Sequence, residues 1–466
     1  KGERCTLREK SFFPEPAGII SCILKLSTSC GYLLSNQIIP PYSDKRAPFI
    51  VSLFFSSLWY AFPVIPKGQK FFGTPFLHVM PLGIEAGRIF GIRKRYAEER
   101  KAMVNCGIVG LPLSGKSTIF NVITRAGAEV KAYAGGKTDP NKAMVSVPDA
   151  RHDRLTEIFE PKKSSPATME FVDLAGLSRD ASKGAGLGNA FLSFVGDADA
   201  LIHVIRCFAN DDVLHPEDSI DPARDWQIVE TELMYRDLGV IENRRQRLEA
   251  KKKRLPEEEK ELELLARCQD FLMEERPLRE MEFSDAEDRM VRGFAFLSRK
   301  PEMVVLNLDE TQIENASIPE YEKFHALMEL HGLPVVRVYG SMEMEMGELA
   351  PEEQQEFMAD LGISEPGRDR LIAGAYGLLG LISFFTTGKD EVKSWTISRG
   401  DTAVDAAGAI HSDLARGFIR AQVVHYNDFI EAGATLGACR EKGLLRLEGK
   451  EYLVQDGDMI EIRFNV

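Results

Sequence analysis

The chain has 466 residues, too many for one compact core, so we expect about three domains. Its hydrophobic fraction of 44% is typical of a soluble globular protein, and its net charge of -13 excludes a generally basic nucleic-acid-binding surface. The seven cysteines include no C-x-x-C pair, which excludes a zinc ribbon and gives no sign of a disulfide framework. The sequence therefore predicts a protein of the reducing cytoplasm.

The first 102 residues differ in charge from the rest: their formal charge is +8, whereas that of the remaining residues is -21. The uncharged run at 49–65 is marginal in length for a membrane span, and Pro63 near its end weakens it further. Residues 97–103 back-translate to a purine-rich tract just ahead of an ATG codon, which resembles a bacterial ribosome-binding site. We therefore expect the native protein to begin at Met103 and residues 1–102 to lie outside the fold. A membrane-anchored protein is the alternative if residues 1–102 are genuine.

The strongest motif in the chain is G-x-x-x-x-G-K-S at 110–117, between an apolar strand-like run and an amphipathic helix. This pattern predicts a phosphate-binding loop, because its glycines let successive N–H groups converge on an anion at a helix N-terminus. Lys116 would reach the outer phosphates as a catalytic group, and the Ser117 hydroxyl would bind Mg²⁺. The predicted nucleotide-binding residues of this loop are Gly110, Leu113, Ser114, Gly115, Lys116, Ser117 and Thr118.

The polar, glycine-rich segment 127–141 is predicted to be a surface loop. In a nucleotide-dependent switch, a Thr hydroxyl from this loop approaches Mg²⁺ and the γ-phosphate. Thr138 is the candidate ligand, with Lys137 beside it, and a plain connecting loop is the alternative.

The segment D-L-A-G at 173–176 follows a predicted strand and is the second strong motif. Asp173 would hold the Mg²⁺ shell opposite Ser117, and the N–H of Gly176 would meet the γ-phosphate as part of the catalytic machinery. Leu177 stands where many GTPases have a Gln that orients water. Because leucine cannot hydrogen-bond water, we expect slow intrinsic hydrolysis. His203, in the next apolar strand, is predicted to be a core histidine.

Residues 221–300 depart from the strand–helix alternation and predict an inserted antiparallel helical hairpin. Apolar residues recur there at the spacing of a two-helix seam: Ile241, Leu248 and Leu255, then Leu265, Cys268 and Leu272. Pro256 suits the first turn of the returning helix. Lys252 and Arg254 would lie at the tip, either as solvated charges or as contacts to RNA phosphates.

The segment 307–310 reads N-L-D-E where many GTPases have N-K-x-D. The final acid, Glu310, is one methylene longer than the Asp that accepts hydrogen bonds from guanine in those GTPases. The sequence therefore favours adenine or a relaxed choice of base. The next predicted strand leads to Gly340 and Ser341, where we expect a loop that closes over the base. Asn307, Glu310 and Ser341 are therefore the predicted base-side residues.

From about residue 383 the chain has short strand patterns and glycine turns, which predict a compact α+β unit without a catalytic constellation. His411, Arg416 and Arg420 are candidates for a phosphate-facing patch, and ordinary surface charge is the alternative.

Taken together, these motifs resemble the YchF (Obg-like ATPase) family of translation-factor-class P-loop NTPases over residues 103–466. The resemblance rests on the phosphate-binding loop, DLAGL at 173–177, KGAGLGNAFLS at 183–193, NLDE at 307–310 and HSDLARGFIRA at 411–421. It implies an α/β P-loop NTPase core with a mostly parallel sheet at 103–220 and 301–382. It also implies a helical coiled-coil insertion at 221–300 and a C-terminal α+β, ubiquitin-like TGS domain at 383–466.

The resemblance further implies ATP hydrolysis in preference to GTP and association with the ribosome. Two departures limit what carries over. Leu113 and Ser114 replace the Asn-Val of the family loop GLPNVGKS, and that Asn helps bind an activating potassium ion, so potassium activation does not carry over. The switch segment FCTIEPN is replaced by residues 135–141, with Lys137 at the Thr position. Either Thr138 substitutes for that Thr, or Lys137 contacts the γ-phosphate itself.

We therefore expect a Mg²⁺-dependent ATPase that acts as a conformational switch on ribosomal RNA and ribosomal proteins. We expect a cytoplasmic monomer with no DNA partner. The alternatives are a true GTPase of the Obg class and a nucleotide-gated ribosome- or RNA-binding module with incidental turnover.

Overall fold

The computed structural model describes residues 104–125, 132–133, 141–173, 195–210, 212–313 and 318–465. Several predicted features lie outside the described residues: the segment 1–102, the candidates Lys137 and Thr138, and Gly176 with Leu177. In the part of the chain that the structure does describe, no helix has both the length and the apolar character that a membrane span requires.

The described residues form thirteen strands in two sheets. The strands are β1 (Asn105–Val109), β2 (Ala132–Tyr133), β3 (Asn141–Ser146), β4 (Lys163–Ser165), β5 (Thr168–Asp173), β6 (Ala200–Arg206), β7 (Glu302–Asn307), β8 (Val335–Val338), β9 (Leu381–Thr386), β10 (Glu391–Ser398), β11 (Phe418–His425), β12 (Arg446–Glu448) and β13 (Asp458–Phe464).

Thirteen α-helices lie between these strands in the described ranges. They are α1 (Lys116–Arg125), α2 (Ala150–Phe159), α3 (Pro222–Glu249), α4 (Pro256–Met273), α5 (Asp285–Val291), α6 (Tyr321–His331), α7 (Gly340–Met346), α8 (Pro351–Asp360), α9 (Gly367–Leu378), α10 (Ala403–Ile410), α11 (Ser412–Arg416), α12 (Tyr426–Glu431) and α13 (Leu436–Glu441). Three short 3₁₀ helices complete the set: Leu278–Glu280, Arg292–Phe294 and Glu310–Gln312.

The first sheet has the strand order β2-β3-β5-β1-β6-β7-β8. Its strands from β5 to β8 in that order are parallel, whereas β3 runs antiparallel to β5 and to β2. Helices cover both faces: Ile119 of α1 and Ile372 of α9 pack on one, and Trp226 of α3 and Phe324 of α6 on the other. This two-sided burial explains the continuous apolar runs of the strands and confirms the predicted α/β core with a mostly parallel sheet.

The insertion contains the predicted helix pair, α3 and α4. Five of the six predicted seam residues are buried in one cluster: Ile241, Leu248, Leu265, Cys268 and Leu272. The prediction was wrong for Leu255, whose residue surface is 65% exposed. Helix α3 ends at Glu249, so the heptad spacing does not continue to residue 255. Leu255 instead precedes α4, whose first residue is Pro256, as predicted.

The second sheet has the order β12-β11-β13-β9-β10-β4 and forms the C-terminal α+β unit. The C-terminal part of this sheet begins with β9 at Leu381, close to the predicted boundary at residue 383. The sequence did not reveal that β4, a segment of the nucleotide-binding part, pairs in parallel with β10. Lys163 and Ser165 both contact the Glu391 carboxylate, at 2.8 and 2.7 Å, which fixes this added strand.

Candidate functional site

The loop between β1 and α1 has the backbone that the glycine motif predicts. Gly110 and Gly115 have φ angles of +146° and +93°, a region that favours glycine. A Cβ on Gly110 would lie 2.3 Å from the Val204 carbonyl oxygen, and one on Gly115 would lie 2.0 Å from Nδ2 of Asn307. Neighbouring groups therefore exclude a side chain at both positions. Leu113 also has a positive φ, +62°, and its side chain points into solvent.

Lys116 is the first residue of α1 and is buried inside this loop, with 4% of its surface exposed. Its Nζ donates hydrogen bonds to the carbonyl oxygens of Gly110 and Leu111, at 3.0 and 2.7 Å. Burial lowers the pKa of Lys116 to about 8, and nearby Asp173 partly opposes this. The ammonium group thus lies within a loop whose hydrogen-bond acceptors are neutral, an arrangement that suits an anionic ligand.

Ser117 and Asp173 meet beside the loop, as predicted for a magnesium site. The Ser117 hydroxyl donates to Oδ2 of Asp173 at 3.0 Å, and Asp173 is buried at the end of β5. A hydroxyl and a carboxylate oxygen are the hard ligands that Mg²⁺ takes from proteins, with phosphates and water completing its shell. The residues present therefore fit this ion.

Asn307 lies at the end of β7 and contacts the loop directly. Its Nδ2 donates to the Ser114 carbonyl oxygen at 3.1 Å. The same amide faces Gly340, where a Cβ would lie 2.6 Å from Oδ1 of Asn307 and 3.1 Å from the Thr118 methyl carbon. Asn307 therefore supports the phosphate-binding loop, and its contact with a base stays a prediction.

The other two base-side candidates, Glu310 and Ser341, are exposed and follow the ends of neighbouring parallel strands. Glu310 begins a 3₁₀ helix, and Ser341 is the second residue of α7. The predicted loop at Gly340 is thus wrong: the chain enters a helix there, because Glu343 accepts the backbone N–H of Tyr339 and anchors its first turn. Both candidates still lie at the sheet edge that carries the phosphate-binding loop.

The structure adds a pair that the sequence reasoning missed, His215 and Asp225. Nε2 of His215 lies 3.0 Å from Oδ2 of Asp225, in the first turn of α3. Both side chains line a crevice, too narrow to admit a water molecule, together with Ser114 and its neighbours in the phosphate-binding loop. The Ser114 hydroxyl in this crevice is buried and has no hydrogen-bond partner among the described residues. Nine residues of loop and helix lie between the two, so no spacing pattern indicated the pair.

His203 is a buried core residue, as predicted. Its Nδ1 lies 2.9 Å from Oε1 of Glu302. His203, Glu230 and Glu302 bring three potential ligand atoms within 4.8 Å of one another. The Arg279 guanidinium binds Glu230 at 2.6 Å and Glu302 at 2.7 Å, so this cluster is an ion-pair network in which a metal would have to displace a cation.

Two of the candidate RNA-contact residues, Lys252 and Arg254, lie exposed in the turn between α3 and α4, at the predicted tip.

The other candidates lie on the C-terminal domain. His411 and Arg416 both contact the Asp413 carboxylate, at 3.4 and 3.0 Å, and this carboxylate offsets part of the positive charge of Arg416. Arg420 is exposed on β11. The contact of these residues with RNA stays a prediction.

Comparison with known proteins gives consistent matches. A family model described as 50S ribosome-binding GTPase matches residues 105–244, and a model named YchF-GTPase_C, described as a protein of unknown function, matches residues 381–465. The Ribosome-binding ATPase YchF of Haemophilus ducreyi is 45% identical over 362 residues, which cover 78% of this chain and 99% of that protein. The Bacillus subtilis protein of the same name is 42% identical over 365 residues, 78% of this chain and 100% of that protein.

A solved structure, described as the Schizosaccharomyces pombe YchF GTPase, superimposes with a TM-score of 0.71 and 32% sequence identity. The match covers 78% of this chain and 99% of that one.

Proposed function

Because the chain belongs to the YchF family, we propose that it is a P-loop ATPase that binds ribosomes, as the names of its relatives state for them. The observation that carries this proposal is Lys116, a buried cation whose Nζ donates to two neutral carbonyl groups inside a glycine-shaped loop. The ammonium group would exchange those carbonyls for the outer phosphates of a nucleotide. Successive backbone N–H groups of the loop and the N-terminus of α1 would bind the remaining phosphate charge.

Ser117 and Asp173 would hold Mg²⁺, with Thr138 as a further candidate ligand. The bound ion would neutralise phosphate charge and orient the β- and γ-phosphates. Gly176 would offer its backbone N–H to the γ-phosphate.

His215 is our candidate for the group that orients the hydrolytic water, since Leu177 cannot. Asp225 holds the imidazole at 3.0 Å and so fixes the ring, as a carboxylate does for many basic histidines. The pair lines the same crevice as the phosphate-binding loop. A His215→Ala variant should bind ATP normally and lose most of its hydrolysis. Undiminished single-turnover hydrolysis would remove His215 from this role.

We propose that ATP is preferred over GTP, because Glu310 replaces the shorter acid that grips guanine. Competition of ATP and GTP against a fluorescent ATP analogue tests this, first in the unaltered chain and then in Glu310→Asp. We expect tighter ATP binding in the unaltered chain and a shift toward GTP in the variant. Tighter GTP binding in the unaltered chain would favour the alternative that the name of the S. pombe relative suggests, a GTPase.

Ribosome binding should depend on the bound nucleotide, and we propose ribosomal RNA contacts at His411, Arg416 and Arg420 and at the tip residues Lys252 and Arg254. Co-sedimentation with ribosomes in ATP, ADP or no nucleotide measures this dependence. If His215→Ala abolishes hydrolysis and the full nucleotide dependence of ribosome binding survives, turnover is incidental to a binding module.

We further propose a cytoplasmic monomer. Sedimentation velocity of the free chain tests whether it is a monomer.

A further inference from the structure

Arg206, the last residue of β6, donates hydrogen bonds to the backbone of the segment that follows it. Its residue surface is only 3% exposed. Nε donates to the Phe208 carbonyl at 3.1 Å, and Nη2 donates to the carbonyls of Val213 at 2.9 Å and Asn210 at 3.5 Å. The guanidinium also stacks over the Phe208 ring at 4.7 Å. One side chain thus holds three carbonyls of the connection between β6 and α3.

This guanidinium has no carboxylate partner among the described residues, and burial lowers the pKa of Arg206. Its Nη1 is buried and has no hydrogen-bond partner within the described ranges. Nη1 belongs to a side chain that lines the same crevice as Ser114 and His215. By contrast, Arg224 in the same region pairs with Asp225 at 2.7 Å. Burying a cation without a carboxylate is costly, so Arg206 calls for a role beyond anchoring the loop for its own sake.

We propose that Arg206 is a positioning residue for ATP hydrolysis: it holds the carbonyls of Phe208, Asn210 and Val213 and thereby keeps His215 against the phosphate-binding loop. His215 follows Val213 by two residues, so a loop freed at Val213 would carry the imidazole away from the crevice. The inference rests on the proposed role of His215. Arg206 itself does not contact the nucleotide in this scheme.

The geometry requires arginine rather than any cation. The planar guanidinium presents donors in several fixed directions, whereas a lysine ammonium is a single point charge on a flexible stem. Arg206→Lys therefore keeps the charge but cannot make the same hydrogen bonds to the three carbonyls. We expect kcat to fall by about tenfold to a hundredfold, the cost of misplacing a reacting group by about 1 Å. Affinity for ATP should change by less than about threefold, because binding and positioning are separable effects.

A charge effect would give the opposite pattern. If Arg206 acts by attracting phosphate, Arg206→Lys retains activity and Arg206→Met weakens ATP affinity, and that result overturns the inference. Arg337→Lys is the matched control, because Arg337 on β8 also stacks over an aromatic ring, that of Tyr321 at 5.2 Å, but its side chain donates to the Tyr321 hydroxyl at 2.9 Å and to no carbonyl of the described β6–α3 connection. We expect this control to retain full kcat.

A double-mutant cycle with His215→Ala separates positioning from a general structural role. In the His215→Ala background, Arg206→Lys should change the residual kcat by less than about twofold, because there is no imidazole left to position. Additive losses would overturn the inference. If His215→Ala hydrolyses ATP at the full rate, the proposed role of His215 and this inference both fail. If His215→Ala loses activity and Arg206→Lys does not, only this inference fails.

A folding defect is excluded by measuring ATP binding and the melting temperature of each variant. Should Arg206→Lys fail to fold, Phe208→Ala offers a milder test, since it removes the stacked ring and leaves the three carbonyl contacts. We expect Phe208→Ala to lower kcat by about threefold through the same route. Hydrogen exchange of the amides from 208 to 215 should quicken in this variant, and unchanged exchange together with unchanged kcat would overturn the inference.

Discussion

Two cations of the described residues lie in different surroundings: Lys116 is buried, and Arg279 is nearly so. The ammonium of Lys116 is held by neutral carbonyls of the phosphate-binding loop, whereas the guanidinium of Arg279 lies between Glu230 and Glu302. Burial lowers the pKa of Lys116. Burial would also lower the pKa of Arg279, but its two carboxylates more than offset this and raise it. Of these two side chains, the cation among carbonyls has surroundings that suit an anionic ligand, and the cation between carboxylates has those of a structural ion pair.

The largest expected effect tests the structural side of this comparison. Arg279→Met would leave Glu230 and Glu302 buried without their cation, and breaking a buried ion pair in this way costs about 3–5 kcal/mol of unfolding free energy. Urea unfolding measures the loss. ATP affinity of the folded variant should stay within about twofold, because neither carboxylate hydrogen-bonds a described residue of the phosphate-binding loop.

The matched control is Arg276→Met. Arg276 has a half-exposed side chain, ion pairs of 3.6 and 3.8 Å and a ring contact with Phe271, so its loss should cost less than about 1 kcal/mol. Equal losses for Arg276→Met and Arg279→Met would contradict the distinction between buried and exposed ion pairs.

The second effect tests the ligand side. Lys116→Ala removes the ammonium that would bind the outer phosphates, and two charged hydrogen bonds are worth about 3 kcal/mol, or roughly 100-fold in ATP affinity. Calorimetric titration with Mg–ATP measures it. The melting temperature of the nucleotide-free chain should change much less than in Arg279→Met, because Lys116 donates its hydrogen bonds to neutral carbonyls and nearby Asp173 keeps its hydrogen bond from Ser117. Lys162→Ala, at an exposed surface pair, is the control. Unchanged affinity in Lys116→Ala would refute the nucleotide site.

The third effect concerns pH. The pKa of Lys116 is lowered to about 8 in the free protein, so this group loses its proton as pH rises through that value. Bound phosphates favour the protonated form, so binding should take up protons above pH 8 and weaken by at most about tenfold per pH unit. Titrations in two buffers of different ionisation enthalpy count the protons. Proton uptake that persists in Lys116→Ala would assign it to another group.

Features encoded by neighbouring residues could be predicted from the sequence. The phosphate-binding loop is encoded within eight consecutive residues, from Gly110 to Ser117, and its glycines are required by local backbone geometry. The apolar strands follow from burial on both faces of the sheet. Leu255 shows the limit of periodicity, because a seven-residue count continues through a turn that ends the helix.

Contacts between side chains far apart in the sequence leave no recognisable pattern in it. Arg279 and Glu230 are separated by 49 residues, and Ser165 and Glu391 by 226, so no spacing rule connects them. His215 was missed for a related reason, since its partner Asp225 lies beyond a loop and at the start of a helix. Each of these contacts is created by the tertiary fold, so it could not be predicted from the sequence.

The smallest expected effect lies at the exposed tip of the helical insertion. Lys252 and Arg254 are solvated, so whatever they contribute must come from a partner. If they contact ribosomal RNA, Lys252→Ala with Arg254→Ala should weaken ribosome binding several-fold and reduce its logarithmic salt slope by about 0.7–0.9 per lost phosphate contact. Binding at several salt concentrations measures the slope.

ATP hydrolysis by the free chain should be unaffected by these tip changes, because the tip has no contact with the phosphate-binding loop. Arg154→Ala with Lys162→Ala removes the same charge from the exposed surface of the nucleotide-binding part and is the control. An equal fall in salt slope for both double variants would show that ribosomes respond to total charge. A fall confined to the tip would show that this exposed pair gains its role from the RNA, as Lys116 gains its own from a nucleotide.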